Sequence, residues 1–407
     1  MDDERDLDTP QDPEPRRVTR RSVLKAIGIG GGAVVLAGAG GVTARAGLNG
    51  VWSQGQGAPY ELWSAWQDAP GLQALVAAGV LAANPHNLQP WLFALGGDTI
   101  DLFDDPSRAM PVNDADGRER AAGYGCVIQN VVVAARGRGL DAEIDLLPGG
   151  DRQQVARIAV RAGAGPTDRE RRLAAAIANR HSNRGPYAAQ AVDQGALAAL
   201  TADAPGGATV EWITDPAQRD ALGALIVEAT QAIVDDEAMS TEAFAWFRSD
   251  RADIDRYRDG LTLDGQGLDA FTLFLAKVLP AQSRESGDEF WLNATRDVHT
   301  ATAAAYGIVR VADVGDPAAR LDAGRLLQHV HLAATDAGLG LQHLNQVTEC
   351  IARDAATGSA DRFSARWAET TGIPAGEALL AFRVGHPQRT ANPSPRRSLA
   401  DVLTTSA

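Results

Sequence analysis

The spacing of hydrophobic residues along the chain predicts both helices and strands. Residues 72–83 and 123–138 have the apolar spacing of buried helices. Two shorter apolar runs, 91–95 and 99–103, flank Gly96-Gly97-Asp98, a sequence typical of a tight turn, so they predict a β-hairpin. The mixture of long helices and short strands indicates an α+β fold.

A glycine-rich break separates this region from the rest of the chain. The sequence Ala162-Gly163-Ala164-Gly165-Pro166 predicts a domain boundary, which gives a first half at 58–165 and a second half at 166–407. Within the second half, residues 240–295 place aromatic side chains among many charges, and we interpret them as an insertion. The elements expected after the break are helices at 168–180, 219–234 and 324–339 and strands at 208–213 and 378–384.

The two long buried helices are related in sequence. Residues 125–140 align without gaps on residues 324–339, and seven of the sixteen positions are identical. Chance similarity between two alanine-rich helices is one explanation of this match, and an internal duplication is the other. A duplication would give the chain two homologous halves that imitate a symmetric dimer, which is an intrachain pseudo-dimer.

Composition narrows the classes of partner. Of the 407 residues, 52 are acidic and 38 are basic, and the net charge of −14 argues against nucleic acid as a partner. Lys25 and Lys277 are the only lysines, so an anion site would have to use arginine, whose planar guanidinium suits phosphate. Cys126 and Cys350 lack metal-ligand spacing and predict two buried thiols, with one disulfide as the alternative.

The N-terminal residues resemble a targeting signal. Thr19-Arg20-Arg21-Ser22-Val23-Leu24-Lys25 precedes a mildly apolar run at 26–44, and Ala44-Arg45-Ala46 follows it. This order is similar to a twin-arginine export signal at residues 1–46, which would engage the twin-arginine translocation machinery and carry the folded protein across the cytoplasmic membrane. A disordered basic tail is the alternative. The apolar run is too rich in glycine for a stable membrane span.

Two short segments carry polar groups suited to a ligand. Residues 84–91, Asn-Pro-His-Asn-Leu-Gln-Pro-Trp, join an expected helix to an expected strand, and their side-chain amides would be free to bond a flat heteroaromatic molecule. An ordinary turn is the alternative. In the second segment an extended chain would point Arg180, Ser182 and Arg184 to one side, which suits a phosphate. A solvated helix end is the alternative there.

Together these segments are similar to motifs of the nitroreductase superfamily of flavin-binding proteins. That family has an Arg-x-Ser-x-(Lys/Arg) segment, matched by residues 180–184, and a Pro-Ser-x-x-Asn-x-Gln-Pro-Trp loop, matched by residues 84–91 with the serine replaced. In ordinary members one subunit holds both segments, and each flavin lies between two subunits. Because each half of this chain holds one segment, the resemblance implies one composite FMN site per chain and a monomer.

Further stretches resemble the Acg-like branch of that superfamily, which has two nitroreductase-like halves and a lid. They are residues 107–112, 114–119 and 258–263, and the resemblance covers about residues 60–403. It implies a nitroreductase-like fold in which residues 240–295 form the lid, with Trp246, Phe247 and Phe271 expected to pack over the flavin. Ordinary burial in the core is the alternative for each of these three side chains. The export signal departs from what this branch leads us to expect.

The resemblance also implies which residues bind FMN. The segment at 180–184 would hold the phosphate, the ribityl chain or the pyrimidine edge, while the loop at 84–91 would meet the ring system from the other half. A loop at 342–346 would follow the flavin N5 edge, and a C-terminal arginine would bind the phosphate unless it belongs to a basic tail. The candidate residues are Arg180, Ser182 and Arg184, then Asn84, His86 and Asn87, then His343 and Asn345, and finally Arg396 or Arg397.

The implied activity is FMN-dependent, two-electron reduction of a nitroaromatic, quinone or similar acceptor, with NAD(P)H or another small-molecule donor. Because the flavin N5 atom carries this chemistry, no catalytic side chain is expected. The alternative is a non-catalytic protein that stores FMN beneath the lid. No metal site is expected, because the remaining histidines lack acidic or cysteine neighbours; they are His299, His329, His331 and His386.

Overall fold

The computed structural model describes residues 45–149 and 153–404. The twin-arginine motif and the apolar run at 26–44 lie outside the described residues. Within them, no helix combines the length and the apolar character needed to cross a membrane.

Helices and strands are mixed in both halves, which confirms the α+β prediction. The helices are α1 (Leu62–Ala65), α2 (Leu72–Val80), α3 (Arg118–Gly137), α4 (Asp168–Ala176), α5 (Gln194–Leu200), α6 (Pro216–Asp235), α7 (Glu237–Ala245), α8 (Arg251–Tyr257), α9 (Ala270–Val278), α10 (Arg284–Ala294), α11 (Pro317–Asp336), α12 (Gln346–Thr357), α13 (Ser364–Thr371) and α14 (Leu399–Val402). The strands are β1 (Trp91–Leu95), β2 (Thr99–Asp104), β3 (Leu140–Leu146), β4 (Gln154–Ala162), β5 (Thr209–Ile213), β6 (Phe247–Arg248), β7 (Leu261–Thr262), β8 (Ala305–Arg310), β9 (Gly340–His343) and β10 (Ala378–Gly385).

Two four-stranded antiparallel sheets have the same topology. The strand order is β1-β2-β4-β3 in the first sheet and β5-β8-β10-β9 in the second. In the first sheet the long helix α3 connects β2 to the edge strand β3. In the second sheet α11 connects β8 to the edge strand β9 in the same way. The two sheets therefore correspond strand by strand, and the two helices that align in sequence occupy the same position in each half.

The helices α3 and α11 pack against each other through glycines. A Cβ atom added to Gly125 would overlap the carbonyl oxygen of Leu321, and one added to Gly324 would overlap the carbonyl oxygen of Ala122. In the sequence alignment Gly125 corresponds to Gly324, and Ala122 corresponds to Leu321. The contact is therefore reciprocal, as in an interface related by a two-fold axis, and only glycine permits so close an approach of the two backbones.

Buried amides continue this helix contact toward the end of α2. The Nε2 atom of Gln328 donates to the Oδ1 atom of Asn130 at 2.7 Å, and the Oε1 atom of Gln328 accepts the backbone N–H of Ala83 at 3.2 Å. The Nδ2 atom of Asn130 donates to the carbonyl oxygen of Ala78 at 2.7 Å. Because buried polar groups need partners, these bonds fix where α2 ends and where the loop at 84–91 begins.

The insertion between α6 and β8 contains α7 to α10, and we call residues 240–295 the lid. The corresponding strands of the first half, β1 and β2, are joined by a short turn instead. Inside the lid, the Nζ atom of Lys277 pairs with Asp264 at 2.6 Å and donates to the carbonyl oxygen of Gly50 at 3.1 Å. The lid is therefore an ordered addition to the second half that is also bonded to the segment before α1.

The C-terminal segment returns from the second half to the first. The backbone N–H of Arg396 donates to the carbonyl oxygen of Pro59 at 2.7 Å, and that of Thr404 donates to Phe93 at 2.8 Å. This crossing brings residues 392–397 beside the loop at 84–91. Cys126 and Cys350 are free, buried thiols, as predicted.

Candidate functional site

A cavity of about 400 Å³ lies between the two halves and beneath the lid. The first half contributes the loop at 84–87 and one side of α3, and the second half contributes residues 180–184, part of β9 and the start of α12. The candidate residues that line it are Asn84, His86, Asn87, Arg180, Ser182, Arg184, His343, Asn345 and Arg396. Residues from distant parts of the sequence thus meet in one cavity.

The segment at 180–184 is extended where it passes the edge of the second sheet. The helix expected at 168–180 ends earlier: α4 ends at Ala176, and a short 3-10 turn follows. Ser182 forms a parallel bridge with Leu341 of β9, and the backbone N–H of Asn183 donates to the carbonyl oxygen of Leu341 at 2.9 Å. Arg180, Ser182 and Arg184 line the cavity, as expected for alternate residues of an extended chain, and His181 between them lines it as well.

Three arginines carry positive charge into the cavity without a carboxylate partner. Arg180 and Arg396 are 2% and 3% exposed, and Arg184 is half-buried. Their hydrogen bonds go mainly to neutral oxygens, such as those from Arg180 to Leu81 and from Arg184 to Gly265, each at 3.1 Å. Within residues 45–149 and 153–404 no ion pair joins them to an acid. Burial lowers the pKa of Arg180 and of Arg184 to about 10.

Trp63 of α1 holds two of these arginines. The guanidinium carbons of Arg180 and Arg396 lie 5.5 Å and 4.8 Å from the centre of its ring, and the ring of His181 meets it edge-on at 4.4 Å. The indole N–H of Trp63 donates to the carbonyl oxygen of Ser394 at 2.8 Å. Cation–π contact therefore stabilises two like charges side by side. This tryptophan could not be predicted from the sequence, because it lies outside both motifs.

Three histidines at the cavity are neutral near pH 7. Burial and the nearby arginines lower the pKa of His86 to about 4 and those of His181 and His343 to about 3. The Nδ1 atom of His181 and the Nε2 atom of His343 are buried, and neither has a hydrogen-bond partner in the part of the chain that the structure describes. The cavity therefore offers neutral ring nitrogens beside its arginines.

The loop at 84–91 lines the cavity, but its amides are not free as expected. The Oδ1 atom of Asn84 accepts the backbone N–H of Gln89 at 2.8 Å. The Nδ2 atom of Asn87 donates to Gly260 and Pro395, and its Oδ1 atom accepts from Arg396 at 2.6 Å. His86, Asn87 and Gln89 have φ angles of 45°, 56° and 53°, a backbone region that is unfavourable for these residues. The side-chain amides therefore hold a strained loop, the lid and Arg396 in place.

Arg397 lies outside the cavity. Its Nη1 atom donates to the carbonyl oxygen of Gln89 at 3.1 Å and approaches Asp105 at 3.5 Å, and its Nη2 atom donates to the carbonyl oxygen of Asp401 at 2.7 Å. Of the two C-terminal candidates, the structure thus places only Arg396 with the other arginines.

The lid closes over the cavity from one side. The backbone N–H of Gly260 donates to the carbonyl oxygen of Asn87 at 3.2 Å, and Phe247 and Trp291 line the cavity. Two expectations for lid aromatics are wrong. Phe271 is 68% exposed, and Trp246 packs against arginine side chains rather than against the cavity.

The cavity also contains two glutamates that were not predicted from the sequence. Glu119 of α3 and Glu349 of α12 line the cavity together with Gln346. Burial and the carboxylates of Glu349 and Asp114 raise the pKa of Glu119 well above its usual value. Burial and the charge of Asp114 raise the pKa of Glu349 to about 7, although its hydrogen bond with Glu119 acts to lower it. Each glutamate looks ordinary in its own helix, because the two meet only when the halves pack. No cluster of metal-binding side chains occurs in the described part of the chain.

Replacing Glu349 with glutamine is expected to change how stability depends on pH. A glutamate with a pKa near 7 in the folded state and near 4.3 when unfolded makes folding less favourable as the pH rises between these values. Glutamine cannot ionise. The free energy of unfolding of the variant, relative to that of the parent, should therefore rise by about 2 kcal/mol from pH 5 to pH 8. Urea unfolding at both pH values measures this, with the exposed Glu143→Gln as control. An equal pH response in parent and variant would contradict the buried pair.

Comparison with known proteins was made by sequence and by structure. No family model matches the chain. Over 180 residues it is 29% identical to Rv3131 of Mycobacterium tuberculosis, which is named as an NAD(P)H nitroreductase; the match covers 44% of this chain and 52% of that protein. In sequence, the chain resembles nitroreductases. It is also 30% identical over 118 residues to acg of the same organism, again named as an NAD(P)H nitroreductase, covering 29% and 36%. The chain spans about half the length of the first of these relatives.

Solved structures give a weaker similarity. The FMN-dependent nitroreductase NfnB from Mycobacterium smegmatis, in complex with NADPH, aligns over 59% of this chain and 100% of its own with a TM-score of 0.39 and 16% identity. A nitroreductase with bound FMN from Desulfitobacterium hafniense aligns over 58% and 98% with a TM-score of 0.34 and 16% identity. Similarity at this level carries no argument about the site in this chain.

Proposed function

We propose that this chain is an FMN-dependent oxidoreductase of the nitroreductase type, built as an intrachain pseudo-dimer with one FMN site. The observation that carries the proposal is the group of three arginines in the cavity, none of which has a carboxylate partner among the residues described. Burying an unpaired cation costs free energy, and a bound phosphate would offset that cost. The names of the two curated relatives support the same class of activity.

The residues in the cavity fit the chemistry of FMN. Arg180 and Arg396 would bind the phosphate, since their buried Nε atoms have no partner within the described ranges and their side chains are already oriented by Trp63. Arg184, His86 and His343 offer hydrogen bonds farther along the ligand. The two halves and the lid would enclose the ring system and exclude water. Bound FMN supplies the centre that accepts and returns a hydride.

Anaerobic reduction tests the proposed activity. We expect NADPH or NADH to bleach the flavin absorbance of the purified holoprotein, and a quinone or nitroaromatic then to restore it with release of the reduced acceptor. The protein would contribute by holding donor, flavin and acceptor in position. Failure of both nicotinamides to bleach the flavin, while FMN stays bound, would contradict a nicotinamide-dependent enzyme.

A second candidate function is storage of FMN, and one observation favours it. The lid is bonded to both motif segments, through Gly260 to Asn87 and through Gly265 to Arg184. We therefore expect replacement of residues 245–275 by a short glycine-serine linker to speed bleaching by NADPH while FMN remains bound. Slow bleaching in the parent and fast bleaching in this variant would favour storage. Equal rates in both would show that the lid is not a barrier.

We also propose that residues 1–46 direct export by the twin-arginine route. The basis is the order of Arg20-Arg21, the glycine-rich run and Ala44-Arg45-Ala46. Replacing both arginines of the pair with lysine should leave folded protein in the cytoplasm, because this route reads the arginine pair. Cell fractionation with an antibody measures it, and unchanged export of the lysine variant would refute the signal.

A further inference from the structure

Two carboxyl groups from opposite halves meet in the cavity. Glu119 lies in the first turn of α3 and Glu349 in the first turn of α12, and their side chains are hydrogen-bonded to each other. Two carboxyl groups form such a bond only when at least one of them holds a proton. Across the described ranges neither is ion-paired with an arginine, a lysine or a histidine. The pair therefore keeps a proton in the wall of the cavity.

This carboxyl pair lies at the far end of the cavity from the arginines. The helix α3 forms one wall, and Glu119, Ala122, Gly123 and Cys126 on it all line the cavity. Cys126 is close enough to Arg180 for the two to interact electrostatically. Glu119 and Cys126 are seven residues apart, and seven residues of α-helix span about 10 Å. The backbone at the carboxyl pair, which we call the acidic end, is therefore about 10 Å from the backbone beside Arg180. A ligand whose phosphate is bound by the arginines and whose body is longer than this distance would reach the carboxyl pair.

Two acceptor atoms at this end have no hydrogen-bond partner among residues 45–149 and 153–404. They are the Oε1 atoms of Glu119 and Gln346. These two residues are 7% and 5% exposed. Buried polar atoms in a folded protein are normally hydrogen-bonded, so these two indicate a site where a bound molecule supplies the missing contacts. The acidic end is thus built for a polar ligand group.

Burial is the main effect that raises the pKa of both glutamates, and a neighbouring charge acts with it. Asp114, in the loop before α3, raises the pKa of both glutamates, and its own carboxylate accepts the backbone N–H groups of Glu119 and Arg120. Asn345 of the loop before α12 lowers the pKa of Glu119 by hydrogen bonding. The other charges in the surrounding elements are paired or bonded: Asp116 with Arg118, Arg120 with Asp104, and Glu242 of the lid with backbone N–H groups.

The balance of these effects sets the titration of the pair. Both glutamates stand in first helical turns, where the helix dipole favours a charged carboxylate, but burial and mutual repulsion act in the opposite direction. The pair titrates as a unit, and the pKa of Glu349 at about 7 places one of its protonation steps near neutral pH. A group that titrates there can both give and regain a proton at the working pH.

We propose that the Glu119–Glu349 pair is the proton donor to the acceptor that this protein reduces. This role rests on the proposed function. A quinone would gain a hydride from reduced FMN and a proton from the pair, which gives the hydroquinone. The flavin is thereby oxidised, the O–H bond of one glutamate breaks, and its electron pair stays on the carboxylate. Water then returns a proton to the pair.

Glutamine variants separate this role from FMN binding. Glu119→Gln and Glu349→Gln keep the size and hydrogen-bonding capacity of the side chain and remove its ionisation. We expect the affinity for FMN and the rate of bleaching by NADPH to stay within about twofold of the parent. We expect reoxidation by a quinone to slow by about 100-fold and to lose its dependence on pH near 7. Glu143→Gln, on exposed β3 and paired there with Arg161, is the matched control.

A spectroscopic measurement tests the pair without turnover. The infrared carboxyl band of the apoprotein should titrate near pH 7 in the parent and in the Glu143 control, and this titration should be lost in both cavity variants. Both variants could bind FMN and be reoxidised by the quinone at the rate of the parent, with the same pH profile. That result would overturn the donor role and leave the proposed function intact. Absence of a titrating carboxyl band in the parent would overturn the donor role as well. A parent that binds no FMN would overturn the proposed function itself, and the donor role with it.

Discussion

Replacing Arg180 with alanine is expected to weaken FMN binding by about 10- to 150-fold, which corresponds to roughly 1.5–3 kcal/mol. The guanidinium is 2% exposed, has no carboxylate partner among the described residues and is held by the ring of Trp63. A bound phosphate would therefore form a charge-assisted hydrogen bond with it in a poorly solvated place.

Fluorescence titration of the apoprotein with FMN measures this effect. Arg180→Lys keeps the charge but loses the planar donor geometry, so its affinity should fall between those of the parent and the alanine variant. The control is Arg172→Ala on α4, which removes a surface ion pair with Asp336 of α11. This variant should bind FMN like the parent. An alanine variant at Arg180 with the affinity of the parent would show that this arginine does not bind the phosphate.

Replacing Gly324 with alanine is expected to destabilise the protein by about 3 kcal/mol or more. The added methyl group would overlap the backbone of Ala122, so α3 and α11 would have to move apart along the contact that joins the halves. Because the contact is reciprocal, Gly125→Ala should have a similar effect through the backbone of Leu321.

Urea unfolding of the apoprotein provides the test for both glycines. Gly287→Ala in α10 is the matched control, since its Cβ would lie 3.8 Å from the ring of Phe244, an ordinary contact distance. Alanine favours a helix over glycine by about 1 kcal/mol, so this control should be neutral or slightly more stable than the parent. An unfolding midpoint of Gly324→Ala equal to that of the parent would contradict the close helix contact.

Local patterns predicted much of the fold. The hairpin of β1 and β2 forms where the apolar spacing places it. The buried helices α3 and α11 end within three residues of the predicted positions but begin at residues 118 and 317, earlier than the predicted 123 and 324. Strands β3 and β4 were missed, although the alternation in residues 140–146, Leu-Asp-Ala-Glu-Ile-Asp-Leu, is a strand pattern. The order of strands in each sheet was not predictable, because it depends on pairing between segments far apart in the chain.

The site was predictable only where motifs are continuous in the sequence. Both motif segments reach one cavity, through Arg180, Ser182 and Arg184 of the first and residues 84–87 of the second, and their binding of FMN stays a prediction. Trp63, Glu119 and Glu349 were missed because only the packing of the two halves brings them to the site. The free amides expected at Asn84 and Asn87 were wrong, because Asn84 accepts a hydrogen bond within the strained loop and Asn87 bonds the lid and the C-terminal segment.

The central claim is that the cavity between the halves binds a single FMN. The apoprotein should be titrated with FMN by calorimetry, and the bound flavin counted by absorbance after removal of free FMN. The arrangement of one 180–184 segment and one 84–91 loop predicts one FMN per chain. Two FMN per chain, or no binding at micromolar FMN, would contradict the account.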